Sequence, residues 1–130
     1  MQAWFDAADI DLRSLQGVKL IKSSSYGRGF ARCGGRGDAV AEAIKEMGSD
    51  FELKAVSCNG ITECNTALLK ASKGLLKENF IEGMACDGGC IGGPSCLSHN
   101  PRNKVLFQKY EKLDADKTIA DAVEQFEAGD

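Results

Sequence analysis

Three of the chain's 6 cysteines fall within one glycine-rich stretch, Phe80 to Cys96, which reads FIEGMACDGGCIGGPSC. Cys86 and Cys90 sit on a turn that follows an apolar run, and Cys96 comes six residues later. Thiolates are soft donors, and several of them on one loop are what an iron–sulfur cluster requires. The glycines let the main chain come close to such a group. A bare Cys-x-x-x-Cys would be weak evidence, because a glycine-rich turn can carry cysteines by accident. The other cysteines have a plain reading as well. Free cysteine is among the most often buried residue types, so a core or loop position accounts for Cys33. A half-buried strand end and a helix face account for Cys58 and Cys64.

The residues around the pair are more specific. The segment resembles the last cysteine motif of the iron-only (di-iron) hydrogenases, a Glu-x-Met-Ala-Cys-x-x-Gly-Cys run followed by glycines. Glu82, Met84, Ala85, Cys86, Gly89, Cys90, Gly92 and Gly93 all match it. Upstream, Gly34 and Gly35 followed by Ala39 and Val40 are similar to the family's Gly-Gly-x-x-x-Ala segment. The stretch FELKAVSCNGITECNTALLKASKG resembles the strand and helix between the two, and NPRNKVLFQKY resembles the family's segment after the motif. The resemblance covers about residues 17 to 113; the first sixteen residues and the last fifteen or so show none.

In that family the active-site cluster is a 4Fe–4S cubane joined to a di-iron unit, the H-cluster, and its four cysteine ligands come from three motifs. Only the last motif occurs here. The Cys-Cys-Pro and Pro-Cys-x-x-Lys motifs are absent from the sequence. The resemblance therefore implies a C-terminal fragment of a hydrogenase catalytic domain, residues 1 to 130 forming one piece of it. It implies that Cys86 binds the cubane, that Cys90 bridges cubane and di-iron unit, and that Met84 packs beside the di-iron unit. The full-length protein would be an oxidoreductase for reversible dihydrogen oxidation and proton reduction. It would be cytoplasmic and anaerobic, with a ferredoxin-type electron partner. The fragment alone would be inactive and hold no cluster without the missing N-terminal part of the domain. The alternative is a non-catalytic iron–sulfur or thiol-metal scaffold, or a sensory hydrogenase-like module. Two departures point to a divergent branch: Asp87 stands where proline is usual, and Pro94, Ser95 and Cys96 replace a third glycine and a Gln-Pro pair. A carboxylate next to a ligand disfavours adding electrons to a cluster.

Composition narrows the classes. With 130 residues and 43% hydrophobic content, the chain fits one small domain. A net charge of −3 and a pI near 5.2 argue against nucleic acid. No run is long enough for a membrane span, and no signal peptide is visible at the acidic N-terminus. Without an export signal, the cysteines read as thiols or metal ligands rather than a disulfide framework.

The elements that must position the motif are set by periodicity. VKLIK, residues 18 to 22, reads as a short strand, and Ser23 to Gly37 as a long loop whose Arg28, Arg32 and Arg36 are most simply solvated. Ala39, Val40, Ala43, Ile44 and Met47 recur at helical spacing before Gly48. Alternation from Phe51 to Val56 reads as a strand ending near Cys58, and Asn59-Gly60 as a turn. A helix runs from Thr62 to Lys73, then a strand from Phe80 to Met84. This predicts an α/β fold: a small, partly parallel sheet with a βαβ unit over 51 to 85, flanked by helices and part of a larger hydrogenase-type domain. Parallel strands end on one edge, where ligands bind in open α/β sheets. On topology alone, Cys58, Cys64, Cys86 and Cys90 are expected to come together there. Helices from Asn103 to Leu113 and Lys117 to Glu127 finish the chain. His99 beside Cys96 either completes a metal site or faces solvent.

Overall fold

The computed structural model describes residues 1–17, 23–113 and 115–128. The chain runs α1 (Gln2–Ala7), α2 (Ser25–Arg28), a 3-10 turn (Gly29–Ala31), α3 (Gly35–Glu46), β1 (Ala55–Asn59) and α4 (Ile61–Ser72). Next come β2 (Phe80–Met84), a second 3-10 turn (Cys90–Gly92), α5 (Arg102–Glu111) and α6 (Ile119–Glu127). The fold is α/β, and β1 and β2 form a parallel pair with Ser57 opposite Glu82 and Cys58 opposite Gly83. α4 is the crossover between them, as the sequence predicts.

The two faces of this small sheet are covered by different helices. α4 lies on the face that carries Cys58 and Gly83: a side chain on Gly83 would come within 3.2 Å of the Cys64 sulfur. α3 lies on the face that carries Ser57 and Glu82, and Gly37 is the contact, with Ala55 and Glu82 within 3.5 Å of where its Cβ would stand. Gly35 sits so close to the Gly29 carbonyl that a Cβ there would overlap it. The Gly34-Gly35 pair is thus a close backbone crossing between α3 and the turn before it.

Two expectations shift. β1 starts at Ala55, because residues 52 to 54 are held by one side chain: Lys54 N–H donates to Asn79 Oδ1 at 2.8 Å, and Asn79 Nδ2 donates to the Glu52 carbonyl. The strand ends at Asn59, near Cys58 as expected, and Cys58 lies inside it, 2% exposed. The long arginine loop is partly helical, and its arginines are used. Arg28 is buried and stacks on Tyr110, while Arg32 joins Asp38 of α3 to Glu111 of α5. The expected strand at 18–22 lies outside the described residues.

Candidate metal centre

β2 delivers the cysteine motif. Its period-two alternation puts Glu82 and Met84 on the α3 face, where both are buried, at 3% and 5% exposure. Glu82 sits under the N-terminus of α3 and accepts hydrogen bonds from three backbone N–H groups. Gly34 and Arg36 donate to Oε1 at 3.1 and 3.3 Å, and Gly37 donates to Oε2 at 2.9 Å. These are among the donors that a helix start leaves without internal partners, and the helix dipole favours the negative charge. The first residue of the cysteine motif therefore fastens the Gly34-Gly35 segment to β2. Sequence reasoning matched Glu82 to the motif and missed this function. The available signal was an acidic residue at an inward-facing strand position, paired with a helix that opens on two glycines.

Beyond Met84 the chain turns into the cysteine loop. Gly88 and Gly89 adopt φ of 83° and 82°, a region side chains disfavour. A Cβ on Gly89 would also lie 2.5 Å from the Ala31 carbonyl and 2.9 Å from the Met84 methyl. The loop is pinned on its other side by Asn59, whose Oδ1 accepts from Gly88 N–H at 2.6 Å. Cys86 and Cys90 share one open cavity of about 380 Å³ with Met84, Gly89 and Arg36. Cys86 is half-buried and Cys90 is exposed. The Arg36 guanidinium bonds the Met84 sulfur at 2.7 Å and lies 5.6 Å from the centre of the Phe30 ring.

The expected gathering of Cys58, Cys64, Cys86 and Cys90 divides into two places. Cys58 faces α4 and lines a different cavity from the one holding Cys86 and Cys90. Cys64 directs its sulfur at the Cys58 and Met84 carbonyls, 4.0 and 3.7 Å away. Cys33 lines a third cavity, with Asn59 and Ile91. Burial raises the Cys33 and Cys58 thiols above their ordinary range, helped for Cys33 by the Glu82 and Glu63 carboxylates and for Cys58 by Cys64 and Glu63. The physical reason for the split is the strand alternation: Cys58 is fixed inside β1 on the α4 face, whereas Cys86 lies two residues past β2. Cys96 and His99 both bind backbone, the thiol to the Cys90 carbonyl and Nε2 to the Gly93 carbonyl, each at 3.0 Å. The Asp87 carboxylate packs against Gly60, the cap of α4, and does not line the Cys86–Cys90 cavity. Among the described residues no group of three or more His, Cys, Asp or Glu is placed to hold a metal ion. Cys86 and Cys90 bring two soft sulfur donors to one cavity.

A glycine-cradled thiol pair at the carboxyl end of a parallel strand is an α/β arrangement suited to sulfur-ligated metals. Residues 1–94 match the family model described as iron only hydrogenase large subunit, C-terminal domain, and the chain belongs to that family. The match starts at residue 1, so it takes in the first sixteen residues, where the sequence showed no resemblance; it ends at Pro94, before the Asn100–Tyr110 segment. Membership implies iron–sulfur cofactors in the full-length protein. A comparison with curated proteins gives no match. No helix among the described residues is long and apolar enough to cross a membrane.

Proposed function

We propose that this chain supplies two thiolates, Cys86 and Cys90, to an iron–sulfur cluster whose other ligands come from cysteine motifs outside this sequence. The cluster works in an iron-only hydrogenase-type protein that interconverts dihydrogen with two protons and two electrons. The observation that carries the reading is the shared cavity of Cys86, Cys90 and Met84 at the end of β2, in a chain of this family. When bound, the cluster supplies one-electron exchange. The chain's own residues bind and shape: Cys86 and Cys90 hold iron, Gly88 and Gly89 set the loop, Met84 provides an apolar wall, and Glu82 ties the loop's strand to α3.

One observation favours a second reading, a non-catalytic iron–sulfur module. Arg36 already covers the Met84 sulfur, the wall that the family resemblance gives to the di-iron unit.

Anaerobic reconstitution with iron and sulfide, with and without 2-mercaptoethanol to provide the missing thiolates, tests the shared reading. Iron uptake should depend on the added thiol, fall in Cys86→Ala and Cys90→Ala, and persist in Cys33→Ala. Uptake unchanged by losing Cys86 and Cys90 together would overturn it. The chain alone should show no dihydrogen uptake with a viologen acceptor.

A further inference from the structure

We propose that Arg36 is the countercharge of the cysteine cavity, a positioning residue that stabilises an anionic iron–sulfur cluster and raises the potential at which it accepts an electron. The inference rests on the iron–sulfur reading above. Arg36 lies in the first turn of α3 between Gly35 and Gly37, and its own N–H is held by Glu82. The backbone is thus fixed where the side chain lies along β2, in the cavity with Cys86 and Cys90.

The surroundings of this cation are unusual. Its guanidinium meets a thioether and an aromatic face, Met84 and Phe30, and neither carries charge. Among the described residues no carboxylate pairs with it, whereas Arg32, four residues earlier, holds both Asp38 and Glu111. Glu82 lines the same cavity, but its oxygens accept the three α3 N–H groups. A half-buried cation with no carboxylate bonded to it is costly, so a cavity that keeps one is suited to a further anion. A thiolate-ligated cluster is a net anion and gains one more negative charge on reduction. A fixed cation beside it favours the reduced state, because cluster potential follows net local charge. Met84 and Phe30 orient the fork by contacts that carry no charge of their own.

The test compares the wild-type protein, in the full-length form that completes the domain, with Arg36→Lys, Arg36→Gln and Arg36→Met. Each is reconstituted with iron, sulfide and 2-mercaptoethanol, then titrated with dithionite and mediators under electron paramagnetic resonance. Arg36→Gln should lower the midpoint potential by about 59 mV or more, the one-electron equivalent of a tenfold change in equilibrium constant. Arg36→Lys, which keeps the charge, should stay near wild type. Circular dichroism identifies a variant that has lost its fold, and Arg36→Met, equally neutral, replaces glutamine in that case. Neutral variants with the wild-type potential overturn the assignment of Arg36 while leaving the cysteine reading intact. A full-length wild-type protein that takes up no iron under these conditions overturns both.

Discussion

At the scale of single residues, Glu82 is the most constrained group in the motif. It brings a carboxylate to a position 3% exposed and meets three N–H donors there. Glutamine fills the same volume but presents an NH₂ where a backbone donor already points. Glu82→Gln should therefore destabilise the fold by about 1.5–3 kcal/mol, the range for hydrogen bonds to a charged group; urea unfolding measures it. A midpoint equal to wild type would show that the cap is dispensable. The thiols make a second residue-level prediction. Cys90 is exposed, whereas burial raises Cys58 and Cys33. Only the thiolate alkylates, so with iodoacetamide at pH 8 Cys90 should react first and Cys58 last, with order read by mass spectrometry. A raised folded-state value means that the native state holds its proton longer than the unfolded chain. The stability tied to neutral Cys58 is therefore present below the ordinary thiol range and is lost as pH rises through and beyond it.

At the scale of elements, α6 is specified by its ends. Thr118 accepts from Asp121 N–H at 2.9 Å, and the Asp121 carboxylate accepts from Thr118 N–H at 3.0 Å, a reciprocal cap. Glu46, at the end of α3, accepts from Ile119 and Ala120 N–H and so docks one helix start on the other's finish. Those bonds to Thr118 hold Asp121 below the ordinary carboxylate range. Its contribution is present above the ordinary value and is lost as pH falls through the lowered one, below roughly pH 4. The helical signal of α6 should fade in that window, and Thr118→Ala should produce the same loss at pH 7. An α6 signal unchanged by both would leave the cap without a role.

Much of the elements' order was legible because hydrophobic period reports local structure well. β2 matches its expected span, and α3, α4, α5 and α6 agree within a few residues. β1 was displaced because alternation at 51 to 54 cannot reveal the Asn79 side chain that takes those backbone groups from 25 residues away. The thiol pair of the site was legible as a motif. Arg36 as a partner of Met84 was not, because that contact spans 48 residues and exists only once Glu82 has fixed α3 against β2.

At the scale of the whole molecule, the accessible surface is the deciding quantity. It amounts to 9742 Å² for 13.9 kDa, whereas a compact monomer of that mass exposes roughly 6,700 Å². Among the described residues, Ala39, Cys58, Ala67 and Met84 are the buried apolar side chains, while Trp4 and Phe126 are 72% and 77% exposed. A parallel pair of two strands with so small a core cannot offset much chain entropy by itself. Apolar surface of this extent marks faces meant to be covered, which fits the proposal that further polypeptide of the same domain completes both the core and the cluster. The isolated chain should then unfold on heating with far less enthalpy than the about 0.7 kcal/mol per residue typical of globular domains near 60 °C. It should also bind the dye ANS at neutral pH without denaturant, as loosely packed states do. Scanning calorimetry and ANS fluorescence read the two quantities on one sample. A sharp transition of full enthalpy without dye binding would mean that the chain closes its own core, and the need for a covering segment would fall with it.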